Sequence, residues 1–255
     1  MQAKRSNTEA AFGRPFAEAQ PVKRLYKALT GVRCHVITHA CVLCGQSAEE
    51  GRICRQCRRI LPWNDNYCDC CGQVTIVAQP PGVPCAACQL KRPPFEKARA
   101  PLIYDFPVDA ALKAIKFKRQ LWFIPAFADL LLWPLENEFP RVDALVPVPL
   151  HRWRQMTRGF NQAVELCRPL RQATGLPMLS EARRIRATRA QTGLNATERK
   201  NNLKNAFAVC GKLRCRHPLI VDDVITTGET CSQLALTLLE AGAESVNLLT
   251  VARAA

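Results

Sequence analysis

Residues 219–230 read LIVDDVITTGET, an apolar run followed by two adjacent carboxylates and then threonines around one glycine. The reading of this stretch decides the fold. An apolar run without polar alternation is a strand covered on both faces, as in a parallel sheet, and PLIVDD (218–223) fits that pattern. The following CSQLALTLLEAG (231–242) has helical spacing: Leu234, Leu238 and Ala241 share a face, and Gly242 supplies the stop. SVNLLTVA (245–252) is a second buried strand, so residues 219–252 make one strand–helix–strand unit. Upstream, ALVPVP (144–149) reads as a third buried strand, ARAPLIY as an opening strand, and VDAALKAIKF as a helix exposing Lys113, Lys116 and Lys118. The expected class is α/β, a parallel sheet flanked by helices.

The same stretch carries chemistry. Asp222 and Asp223 stand at the carboxyl end of a strand, where open α/β sheets place their ligand sites. The loop Thr226, Thr227, Gly228, Glu229, Thr230 then enters a helix N-terminus, where free amides, the helix dipole and hydroxyls favour an anion. Gly228 is expected to let the backbone approach that anion closely. Carboxylates beside a phosphate cradle repel the phosphate unless they hold hydroxyls or Mg²⁺. A sugar phosphate satisfies both halves.

A second signal is the cysteines. Cys41/Cys44, Cys54/Cys57, Cys68/Cys71 and Cys85/Cys88 form four C-x-x-C knuckles in a row. Each knuckle directs two thiolates to one side of a tight turn, and two knuckles complete a tetrahedron around Zn²⁺. Two structural zinc ions are expected, against a competing disulfide or redox array. Sequential pairing and a cross-braced arrangement use the same eight residues, and Cys70 beside Cys71 is an alternative ligand. The region between Cys41 and Cys88 is too poor in apolar residues to fold without such a staple.

The 255 residues, 48% of them hydrophobic, hold no apolar run near the roughly 20 residues that span a bilayer. Cations in the first 30 residues are not followed by an apolar segment of signal-peptide type, so the expected location is cytoplasmic, with the inner face of the membrane as a second possibility. Residues 1–21 read as a disordered tail, 22–40 as a lead-in helix, 41–92 as a double zinc ribbon and 98–255 as the α/β domain, with LKRPPF as the linker. The formal net charge is +15. Two four-cysteine zinc sites would lower it to about +11, still an excess that suits a polyanion.

The stretch 219–230 resembles the 5-phosphoribosyl-1-pyrophosphate (PRPP) motif of type I phosphoribosyltransferases. With VPVPLHRWRQMTRGFNQ (146–162), RATRAQTGLNATERKNNLKNAF (186–207), YDFPVDAALKAIKFK and the four cysteine pairs, the resemblance narrows to the ComF family of competence-associated proteins. It implies a type I phosphoribosyltransferase-like domain behind a zinc ribbon module. It also implies that Asp222 and Asp223 hold the ribose hydroxyls and Mg²⁺, and that Thr226, Thr227, Gly228 and Thr230 bind the 5-phosphate. His151, Arg152, Arg154 and Arg158 then fall where pyrophosphate lies, although His151 serves equally to satisfy a backbone carbonyl. Arg186 and Arg199 fall in the mobile hood of such domains. The implied partners are single-stranded DNA, a competence helicase and a DNA-processing protein. Three functions stay open: a transferase moving phosphoribose from PRPP to a nucleobase-like or other small acceptor without direct DNA contact, a DNA-handling factor whose nucleotide site is regulatory or vestigial, or a metal-dependent regulator without catalysis.

Overall fold

The computed structural model describes residues 39–49, 51–77, 80, 82–150, 156–185 and 206–254. A short antiparallel pair, β1 (His39–Ala40) with β2 (Ser47–Ala48), precedes helices α1 (Arg55–Ile60) and α2 (Ala86–Leu90). Strands β3 (Ala98–Arg99) and β4 (Leu102–Ile103) lead to helices α3 (Val108–Lys118) and α4 (Phe123–Glu138), then to β5 (Ala144–Pro147). Helix α5 (Gln162–Thr174), β6 (Ala182–Arg184), β7 (Phe207–Val209), β8 (Pro218–Ile225), α6 (Glu229–Glu240) and β9 (Asn247–Arg253) complete the described elements.

The main sheet has the order β3–β9–β8–β5, with β4 also on β9, and every pairing is parallel. The expected parallel α/β sheet is therefore present. Leu219, Ile220 and Val221 of β8 are fully buried, which is why their run is unbroken by polar residues. Leu219 and Val221 pack with Phe127 and Leu131 of α4 and Leu166 and Leu170 of α5. Ile220 packs with Leu234, Ala235 and Leu238 of α6 on the other face. The strand alternates between two helical layers.

Several boundaries differ from the sequence expectations. ARAPLIY is not one strand: Pro101 lacks an amide for the ladder and divides it into β3 and β4. Strand β8 continues two residues past Asp223, with Val224 opposite Ala252 and Ile225 opposite Arg253. Helix α6 begins at Glu229 rather than 231. Residues 39–40, expected to close a helix over 22–40, form β1 instead, because the turn at Cys41–Cys44 folds them back against 47–48. The remainder of that helix and the tail over 1–21 lie outside the described residues. Strands β6 and β7 pair antiparallel, which brings together the two sides of the 186–205 segment, itself outside the described residues.

The cysteine-rich region shares its core with the sheet. Cys41, Ile53, Cys57 and Leu61 belong to the same apolar cluster as Leu102, Ile115 and Phe127. The described residues fall in one compact unit, Thr38–Ala255. Backbone bonds stitch the two parts: the Ile103 amide donates to the Pro62 carbonyl (2.7 Å) and the Asn64 amide to Pro101 (2.9 Å). Asn64, buried, donates through Nδ2 to the carbonyls of Gly72 and Ala100, at 3.1 Å each. Arg99, also buried, reaches Glu138 (3.0 Å) and the Asn64 carbonyl (3.3 Å), with its guanidinium 3.5 Å from the centre of the Tyr67 ring.

A shared core makes melting cooperative. Leu61→Ala removes a buried side chain from the cluster and should cost about 2–5 kcal/mol. Calorimetry should then show one transition moved down for the whole molecule, not a ribbon that melts ahead of an unaffected sheet.

Candidate metal centres and anion-binding loop

Each zinc ribbon is built from two knuckles. The turn closing the first has the Gly45 amide on the Cys41 carbonyl (2.8 Å), and that of the third has Gly72 on Cys68 (2.7 Å). Both glycines have positive φ, which an L side chain rarely adopts, so the turn requires them. Cys54 and Cys85 hold the N-cap positions of α1 and α2, and the Cys54 sulfur accepts the Cys57 amide at 3.4 Å.

The structure settles the pairing that spacing left open. Cys41, Cys44, Cys54 and Cys57 form one cluster, and Cys68, Cys71, Cys85 and Cys88 the other, with the sulfurs of each within 4.8 Å of one another. Pairing is sequential, and the cross-braced arrangement is set aside. Cys70 is buried against the second cluster without being one of its four members. Sulfurs about 2.3 Å from a central Zn²⁺ would stand about 3.8 Å apart in a regular tetrahedron. The Cys44–Cys54 and Cys71–Cys85 separations are both 3.7 Å, so the two clusters fit two zinc ions. Burial works to raise the Cys68 thiol, but the amides of Cys85, Cys71 and Cys70 outweigh it and hold the thiol below its usual range, whereas burial pushes its neighbours Cys71 and Cys88 up.

The carboxylate pair lies within β8, two residues before its end. The Asp223 amide donates to Asp222 Oδ1 and the Val224 amide to Asp223 Oδ1, each at 2.9 Å. Burial, reinforced by the negative charge of Asp223, pushes the Asp222 carboxyl well above the usual carboxylate range, with Lys116 opposing. Beyond Ile225, Thr226 and Thr227 are exposed, and Gly228 caps α6 with φ 75°. A Cβ there would meet only Ile225 Cγ2, at 3.8 Å. Glycine is thus required by the left-handed turn, not by crowding. Thr230 lies in the first turn of α6, and Glu229 bonds Gln233 (3.0 Å), which draws its carboxylate along the helix.

The double zinc ribbon domain family matches residues 35–89. The DNA utilization protein YhgH of Salmonella typhi is 36% identical over 207 residues, covering 79% of this chain and 90% of the relative. Its namesake from Escherichia coli (strain K12) is 35% identical over 223 residues, covering 84% and 96%. Competence protein F of Haemophilus influenzae is 31% identical over 212 residues, covering 79% and 90%. The chain belongs to the ComF family.

In this ComF-family chain, His151, Arg152, Arg154, Arg186 and Arg199 lie outside the described residues, and Arg158 is half-buried just before α5. Two other cations, to which the sequence reading gave no part in the site, act near it. Lys116, expected on the exposed side of its helix, is half-buried, and its charge acts on Asp222. Arg253, buried at the end of β9, donates to the Thr226 carbonyl and to Gln73 Oε1, both at 2.6 Å. Gln73 follows the third knuckle, and its carbonyl accepts the Cys68 amide at 2.9 Å. One guanidinium therefore connects the second metal cluster to the anion loop. Its only sequence trace is an arginine at the end of an apolar strand.

Elemental analysis should find close to two zinc ions per chain, and a value below one would defeat the ribbon geometry. A pH effect follows from Asp222. Its raised folded-state pKa means that folding favours the protonated form, so stability declines as pH climbs from the ordinary carboxylate range through the raised value. Asp222→Asn removes that penalty. Melting curves at pH 5–8 should place the ligand-free variant at or above wild type, with the gap widening as pH rises.

Proposed function

We propose that this protein binds PRPP with Mg²⁺ at the end of β8 and serves the handling of single-stranded DNA. The observation that carries the reading is the run of two carboxylates on the central strand directly into a left-handed Gly228 cap at a helix N-terminus. The first half accepts hydroxyls or a divalent cation. The second offers amides and the hydroxyls of Thr226, Thr227 and Thr230 to a phosphate. A ribose 5-phosphate spans both. Mg²⁺ would offset the charge of a pyrophosphate brought near two aspartates. Arg158, and in the same segment His151, Arg152 and Arg154, would complete the pyrophosphate side, with Arg186 and Arg199 closing over it. The DNA part is supported by relatives named for competence and DNA utilization, and by the +15 formal charge.

The carboxylates carry the test. In the double variant Asp222→Asn, Asp223→Asn, charge-assisted bonds worth roughly 1.5–3 kcal/mol each are lost. Calorimetric titration with Mg²⁺-PRPP should show at least a tenfold weaker affinity while the melting temperature does not fall. Equal affinity in both proteins would reduce the motif to a turn.

A further inference from the structure

Helix α3 turns an apolar face inward through Val108, Ala111, Leu112 and Ile115. Its outer stripe would ordinarily be polar. Instead Phe117, seven positions from the exposed Ala110 and four from Lys113, stands 71% exposed on it. Phe106, one turn ahead of Ala110, is 74% exposed, and Trp122, in the turn into α4, is 57% exposed. Among the described residues Trp122 meets the neighbouring Phe123 ring, centroids 5.9 Å apart, and still leaves more than half its surface in water.

The charge is mixed at Phe106, whose amide donates to Asp105 Oδ1 (2.7 Å), and positive around Phe117 and Trp122. Between Asp109 and Asp129 there is no acid, while Lys113, Lys116, Lys118 and Arg119 fall in that interval. Lys113 is held by Asp109 (2.7 Å), and the Lys116 ammonium lies 5.6 Å from the Phe117 ring centre. Lys118 and Arg119 are exposed. Arg119 caps α3 with φ 55°, a left-handed conformation that favours glycine. Its guanidinium lies 3.1 Å from the point a Cβ on Gly159 would occupy, so a side chain there would displace it. A strained backbone kept at an arginine points to use of the guanidinium.

We infer that the outer face of α3 and the turn into α4 form a binding platform for single-stranded nucleic acid, with Phe106, Phe117 and Trp122 stacking bases and Lys118 and Arg119 contacting phosphates. Exposed rings interleaved with cations are what an unpaired strand requires, because every base has a stacking face and every linkage a charge. Duplex DNA hides those faces. This placement rests on the DNA half of the proposed function and gives it a location: the strand runs along α3.

The full zinc-loaded chain is titrated with labelled oligo-dT and with a duplex of equal length, with Trp122 emission as a second signal. Wild type should bind the single strand in preference to the duplex, with the emission quenched. Phe117→Ala with Trp122→Ala should weaken binding at least tenfold with an unchanged salt slope, since stacking releases no counterions. Lys118→Gln with Arg119→Gln should flatten the slope by about 1.4 if both contact phosphates. Mg²⁺-PRPP affinity should stay at the wild-type value in the aromatic pair, which also reports an intact fold. Wild-type oligonucleotide affinity in both double variants would overturn the platform and leave DNA handling standing. A wild type that binds no oligonucleotide overturns both, as does Trp122 emission that answers only to anionic lipid vesicles.

Discussion

Strand β8 is hydrogen-bonded on both sides, to β5 through Ala144–Pro147 and to β9 through Asn247–Arg253. Everything at the candidate site hangs from that double pairing. A half-buried carboxylate beside a second one is unfavourable, as the raised Asp222 pKa records. A strand with one free edge could relieve it by shifting. Held from two sides, β8 keeps Asp222 and Asp223 in place, and the ladder continues to Ile225 so that the turn at Gly228 is delivered at a set position. The instability stored at the carboxylates is what a cation or sugar hydroxyl would relieve.

The zinc ribbons follow from the same economy of core. They hold few apolar residues: Ile53 and Leu61 of the first share a cluster with Leu102 of the sheet, while Ile76, Val77, Val83 and Leu90 of the second are exposed. Metal closes each ribbon locally, while Asn64 and Arg99 satisfy the polar groups where ribbon meets strand. Burying an arginine costs much unless it is paired and bonded, and Arg99 has Glu138, a carbonyl and the Tyr67 ring. Arg253 makes the corresponding link on the functional side. Metal loss from the second cluster therefore has a physical route to Thr226, through Gln73 and one guanidinium.

The site and the α3 platform together suggest a surface with two kinds of anion recognition. At β8 the donors are amides and hydroxyls at fixed positions, suited to one phosphate in one geometry. Along α3 they are mobile side chains with rings between them, suited to a repeating backbone. Lys116 belongs to both, close enough for its charge to act on Asp222 while its ammonium sits near Phe117.

Much of this was legible in the chain. Unbroken apolar runs announced the buried strands β8 and β9, because a strand covered on both faces has no polar alternation to show. The C-x-x-C spacing selected the metal ligands, and Asp222, Asp223 and the Thr226–Gly228 turn marked the candidate site, because knuckles and caps are set by residues a few positions apart. What needed the tertiary structure was non-local. Sequential pairing of the cysteine clusters, the split of the edge strand at Pro101, the half-burial of Lys116 and the reach of Arg253 to Gln73 depend on segments distant in sequence meeting in space. Periodicity also treats Phe117 as one more apolar residue in a helix, and only packing shows that its ring is left in solvent. Local chemistry sets the ligands and turns; contact between remote segments decides which side chains surround them.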